Sequence, residues 1–174
     1  VLREKIQLIR TYGVDVYPGG TLFEIAVWQD KMELFFECAA ELGFTGIEIS
    51  DGTISLNTQE RRRAIQRAKA LGFKVVTEVG KKKGAPLSVR RMQQMITDDL
   101  EQGADQVIIE GLESGKDVGI YDRHGKVKEA EMEALVHELP SSETVLLWEA
   151  PLKSQQVRLI KRFGPNVNLG NIAP

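Results

Sequence analysis

Two rhythms alternate along this chain. Stretches with apolar positions three and four apart, such as KMELFFECAAELG, ERRRAIQRAKALG and RRMQQMITDDLEQG, are followed by short unbroken apolar runs, FTGIEIS, FKVVTEV and ADQVIIEG. The first rhythm is that of an amphipathic helix, the second that of a strand buried on both faces. The same couplet opens the chain as REKIQLIRTYG with VDVYPGG, and closes it as EAEMEALVHEL with ETVLLWEA and SQQVRLIKRFG with NVNLGN. Gly13, Gly43, Gly72, Gly103 and Gly164 end five of these helices, and Pro140 punctuates the other. A glycine there takes the left-handed position after a helix without a Cβ penalty.

Helix and strand alternating at about thirty residues predict successive right-handed βαβ units. A doubly wound sheet and a (β/α)8 TIM barrel both satisfy the pattern. No G-x-G-x-x-G turn follows the first strand, and six near-equal units favour the barrel. The chain opens on a helix, so about six of eight βα units are expected, with two missing from the ends. Residues 1–174 then form a single, partial barrel domain. Such a barrel leaves two sheet edges open, and self-association into a homo-oligomer is one expected consequence.

Composition narrows the function. Hydrophobic residues make up 42% of the 174 positions, enough for a core, and the formal net charge of −2 carries no basic stripe of the kind that binds nucleic acid. Arg61, Arg62 and Arg63 are expected on a solvated helix face. Cys38, the single cysteine, reads as a buried core thiol among Phe35, Phe36 and Ala39. No apolar run reaches the ~20 residues that cross a bilayer and no signal peptide is visible, so a soluble cytoplasmic protein with no membrane partner is expected.

Chemistry in barrels and open α/β sheets sits at the carboxyl ends of the strands. There this chain places Glu48, Glu78, Glu110 and Glu149 at matching positions on four strands, with Ser50-Asp51-Gly52-Thr53 after the first of them. Carboxylates inside apolar strands are costly unless paired, hydrogen-bonded or metal-bound. Salt bridges to lysines and arginines would explain any one of them; as a set they point to a divalent cation. Oxygen donors with few histidines suggest Mg2+ over Zn2+. His124 and His137 read as surface residues. Lys81, Lys82 and Lys83 leave a strand through Gly80, and Lys82 is the one expected over the barrel mouth, where a depressed pKa would suit proton transfer. Turns through Ser114, Gly115 and Lys116, and through Asn168 and Asn171, could take a phosphate.

The strings PGGTLFE, IEISDGT, EVGKK, EGLESGK, WEAPLKSQQV and FGPNVNLGNI, in this order through nearly the whole chain, resemble the phosphosulfolactate synthase family. The resemblance implies a (β/α)8 barrel that uses Mg2+ to add sulfite to phosphoenolpyruvate, giving 2-phospho-3-sulfolactate on the way to coenzyme M or sulfolactate. It implies Lys82 as the general acid, with Glu48, Glu78, Glu110 and Glu149 holding the metal or orienting that lysine. Lys116, Ser114, Gly115, Asn168, Asn171 and Asp51 would contact the small-molecule substrates. One position departs from the family's pattern: Leu112 stands where an arginine is expected. Two other readings stay open, a non-catalytic homologue like the plant heat-stress-associated relatives and a different barrel enzyme forming a Schiff base through Lys82.

Overall fold

Five strands, β1 (Gly46–Ile49), β2 (Lys74–Val79), β3 (Gln106–Ile109), β4 (Leu146–Glu149) and β5 (Leu169–Gly170), pair in chain order, every pair parallel. The structure is a computed structural model that describes residues 1–80, 87–137, 139 and 142–172. Helices α1 (Leu2–Thr11), α2 (Gly20–Trp28) and α3 (Met32–Leu42) precede β1. Between successive strands run α4 (Thr58–Ala70), α5 (Val89–Glu101), then α6 (Glu129–His137) with the short α7 (Ser142–Val145), and α8 (Lys153–Phe163).

Local chemistry sets several boundaries. Asn57 and Glu60 close a reciprocal capping box at the start of α4, the Asn57 side chain accepting from the Glu60 amide at 2.9 Å and Glu60 accepting from the Asn57 amide at 2.8 Å. Ser88 caps α5, and Gly43 ends α3 in the left-handed conformation.

Side chains alternate across a strand, so the sheet has two distinct faces. Ile47, Ile49 and Val75 pack with Phe36, Ala64, Ile65 and Ala68 of α3 and α4. Val79, Val107, Ile109, Leu146 and Trp148 pack with Met92, Ile96, Met132, Leu135 and Leu159 of α5, α6 and α8. These residues share one parity in the strand register, so the helices that follow the strands lie on one face. A doubly wound sheet carries helices on both faces; one covered face is the plan of a (β/α) barrel, of which this chain forms a part.

The described residues hold five strands, not six. Residues 14–17 run beside β1 but form no strand ladder with it; the Val16 amide donates to Thr45 Oγ1 at 2.9 Å and its carbonyl accepts from the Thr45 and Gly46 amides. Pro18 next offers no N–H, and the chain turns at once into α2, which the pattern of apolar positions did not signal. Two further expectations are corrected. Arg61 is 6% exposed, because it shares the inward stripe of α4 with Ala64, Ile65 and Ala68, three, four and seven positions on. Cys38 is exposed; it precedes the buried Ala39 by one position, about 100° round a 3.6-residue helix. His124 and His137 are both exposed.

Candidate active site

Glu48, Glu78, Glu110 and Glu149 all lie on the face turned away from the helices. Glu48 pairs with Val76, Glu78 with Ile108, and Ile108 with Leu147, which fixes their parity and their levels. Along the register Glu78 sits two residues beyond Glu48. Glu110 sits two beyond Glu78, and Glu149 is level with Glu110. Each two-residue step is about 6.6 Å. Val76, Ile108 and Leu147 lie beside the carboxylates on this face, together with the polar Gln106, which pairs with Val76.

Glu78 and Glu110 are 2% and 1% exposed, while Glu48 and Glu149 are half-buried. Glu110 Oε1 accepts from the Leu112 amide at 2.7 Å, and Glu149 Oε2 from the Gly111 amide at 2.9 Å. Tyr17, half-buried, joins this face from the stretch beside β1. Burial pushes its phenol pKa up, and the charges of Glu48 and Glu149 push it further. One phenol thus senses carboxylates on β1 and β4. Tyr121 is also raised by burial and then by Glu149, and its hydroxyl donates to the Glu149 carbonyl at 2.6 Å.

A buried carboxylate on α2 sets the loop after β1. Glu24, 2% exposed, accepts from Ser50 Oγ at 2.5 Å, the Gly52 amide at 2.8 Å and the Thr53 amide at 3.0 Å, and also from the Thr53 hydroxyl. Burial alone would raise its pKa; these hydrogen bonds outweigh that and hold it below the usual carboxylate value. Gly20 brings the start of α2 against the same place. A Cβ there would lie 2.4 Å from Glu48 Oε1 and 2.4 Å from Ser50 Oγ.

Asp51 is turned the other way. It is 5% exposed and faces Arg61, 3.2 Å from Nη1. The Arg61 guanidinium also grips Asp99, with contacts from 2.6 to 3.1 Å, and donates to the Glu78 carbonyl at 2.9 Å. Burial would lower the Arg61 pKa, but Asp99, Asp51 and Glu78 more than restore it. Asp51 therefore serves this ion cluster, which ties the ends of β1 and β2 to α4 and α5.

The loop between β3 and α6 carries Ser114, Gly115 and Lys116. Ser114 and Lys116 are exposed, and Ser114 Oγ accepts from the Lys116 amide at 3.3 Å. Asn171 reaches this loop, donating to the Leu112 carbonyl at 3.2 Å. Asn168 does not: its amide donates to the Thr144 and Leu146 carbonyls, at the start of β4 and away from the rim, because it precedes Asn171 by three positions along β5. Leu112 has a φ of +54°; its side chain packs against the core cluster that includes Val79 and Trp148, while its amide meets the Glu110 carboxylate. Lys82, with Lys81 and Lys83, lies outside the described residues.

Among the described residues no three His, Cys, Asp or Glu side chains stand together as a metal cage. Mg2+ is ordinarily held by one or two carboxylates, with waters and substrate oxygens completing six ligands; Glu110 and Glu149, level on neighbouring strands, are two oxygen-donor side chains of that kind.

Sequence reading did not find the roles of Glu24, Arg61, Tyr17 and Gln155, the last a buried amide of α8. Two of them were signalled: Glu24 is the only charge in the apolar string GTLFEIAVW, and Arg61 falls on the apolar stripe of its helix.

Similarity to known proteins agrees with this geometry. The family model of (2R)-phospho-3-sulfolactate synthase matches residues 1–174. The phosphosulfolactate synthase of Methanocaldococcus jannaschii is 48% identical over 99% of this chain and 69% of its own length. That of Methanothermobacter thermautotrophicus is 45% identical over 99% of the chain and 67% of its own length. For the Bacillus subtilis phosphosulfolactate synthase the figures are 36%, 98% and 68%. The chain thus spans about two thirds of each relative. A solved structure of 2,3-dimethylmalate lyase, a PEP mutase/isocitrate lyase superfamily member, matches with a TM-score of 0.55 at 15% identity, over 98% of this chain and 57% of that one. At that identity the likeness is one of fold. Among the described residues no helix is long and apolar enough to cross a membrane.

Proposed function

This chain belongs to the phosphosulfolactate synthase family of carbon–sulfur lyases, and on that footing we propose that it adds sulfite to phosphoenolpyruvate, giving 2-phospho-3-sulfolactate, in the cytoplasm and with Mg2+ as cofactor. The observation that carries the reading is the row of Glu48, Glu78, Glu110 and Glu149 on the face opposite the one that α4, α5, α6 and α8 cover, in a chain 48% identical to a named synthase.

The sulfur lone pair of sulfite forms a bond to C3 of phosphoenolpyruvate. The C2–C3 π electrons move onto C2 and into the carboxylate, and C2 then takes a proton. Bound Mg2+ would supply positive charge against the negative charge growing on that carboxylate. Glu110 and Glu149, level on neighbouring strands, are the pair suited to hold it. Lys82 is the proposed acid: its ammonium gives a proton to C2 and recovers one from water. Glu48 and Glu78, deeper along the same face, would keep that lysine charged and oriented. Ser114 and Lys116 would take the phosphoryl group, with Asn171 supporting their loop. Tyr17 keeps its proton at neutral pH, since its burial and then the charges of Glu48 and Glu149 oppose its ionisation.

The test is an assay of consumption of phosphoenolpyruvate with sulfite. Activity should depend on Mg2+, vanish with EDTA and return on adding Mg2+. Lys82→Ala should lower kcat by about 10²–10⁴-fold, the usual contribution of a positioned acid. Full turnover by that variant would remove Lys82 from the mechanism.

A further inference from the structure

Gln155 lies outside the carboxylate face, yet every polar atom of its side chain is engaged. It is 1% exposed in the first turn of α8. Its Oε1 accepts from the Leu152 amide at 3.0 Å. Its Nε2 donates to the Gly115 carbonyl at 2.7 Å and to the Gly125 carbonyl at 3.0 Å. Both amide hydrogens are therefore committed to one loop.

Those two carbonyls belong to the outgoing and returning limbs of the segment between β3 and α6. The limbs close on each other at this point. A Cβ on Gly115 would lie 2.9 Å from both Nε2 and Oε1 of Gln155, so only glycine lets the amide in. Gly115 also has a φ of +63°, a conformation that L side chains rarely adopt. Beyond the neck, bridges from Tyr121 to Val118 and Val127 brace the loop, and the Tyr121 hydroxyl ties it to the Glu149 carbonyl. Ser114 and Lys116 flank the very residue that Gln155 grips.

We propose that Gln155 is a positioning residue that holds the turn from Ser114 to Lys116 in the shape that accepts the phosphoryl group of the substrate. Being buried, it touches no ligand and acts through the Gly115 and Gly125 carbonyls. The proposal rests on the reading that this turn binds phosphate. Side chains that must meet an anion lose affinity when the backbone carrying them is free to move, because binding must then order it.

The experiment is calorimetric titration of the protein with phosphoenolpyruvate and, separately, with inorganic phosphate, for the native chain and for Gln155→Glu. The glutamate keeps the shape but turns an acceptor oxygen toward two carbonyls. The expected result is a Kd about tenfold weaker for both ligands, the scale of a lost supporting hydrogen bond. In turnover, KM for phosphoenolpyruvate should rise by more than kcat falls, with KM for sulfite unchanged. Asn171→Ala, at an exposed position, frees the same loop at Leu112 and should weaken both ligands in the same direction even if Gln155→Glu does not fold. Native binding with equal affinity in the variants, whatever their melting temperatures, would overturn the positioning role alone. Absence of binding by the native protein would overturn the phosphate reading together with it.

Discussion

Arg61 should be the most costly surface-distant charge to remove from this protein. Its side chain is 7% exposed, that of Asp99 is 3% and that of Asp51 is 6%, so none of the three can turn to water. Arg61→Met keeps most of the packing volume and deletes the guanidinium. Asp99 then loses its paired contacts, Asp51 loses its contact with the guanidinium, and the Glu78 carbonyl loses a donor. Breaking a buried pair on one side costs about 3–5 kcal/mol. For a chain of this size that corresponds to a fall in Tm of roughly 6–20 °C. Urea denaturation followed by circular dichroism measures it, with a lowered midpoint and an unchanged slope. Arg62→Ala is the internal control, because its partner Asp98 sits 3.0 Å away with both side chains at least a third exposed. That change should cost no more than about 1 kcal/mol. Equal small costs for the two variants would refute the argument, since burial would then make no difference to the ion pair.

Three further outcomes follow from the same structure. Glu24 has a folded pKa below its unfolded value of 4.5, so the unfolded chain binds its proton first on acidification. Its contribution is present above that value and is lost as pH falls through the folded pKa; Glu24→Gln should flatten this part of a stability–pH curve measured by urea titration. Gly20→Ala should destabilise the fold by about 1–3 kcal/mol, as overpacking does, and lower activity as well, because the new methyl meets Glu48 and Ser50. Exchanging Leu112 for Ala should cost stability more than it changes KM for phosphoenolpyruvate, since Leu112 packs on the core; paired thermal melts and kinetics separate the two.

The barrel plan was legible because its signals are local and repeated: the helical period of α3, α4 and α5, glycines after several helices, and apolar strands between them. What failed was edge behaviour. Residues 14–17 have a strand's composition, yet Pro18 and the turn into α2 limit their backbone bonding beside β1 to that of Val16 with Thr45 and Gly46. The apolar α2 escaped notice because its one charge, Glu24, bonds to the loop of Ser50 and Thr53, residues far along the chain. The common face of the four glutamates could be expected from their equivalent places on parallel strands. Their stagger could not, since it depends on strand register. Arg61 and Asp51 show the other limit. Arg61 looked solvated by type, and its contact with Asp51 and with Asp99 from α5 is a tertiary one that the chain pattern does not carry. Gln155 could not be singled out within WEAPLKSQQV, because its partners are backbone carbonyls of a distant loop.

The most direct test of the central claim is proton and phosphorus NMR of phosphoenolpyruvate mixed with sulfite, Mg2+ and the protein in D2O. The account predicts loss of the vinyl signals and growth of a phosphorylated, sulfonated three-carbon product carrying deuterium at C2 and none at C3. Phosphoenolpyruvate left intact, or deuterium found at C3, would contradict it.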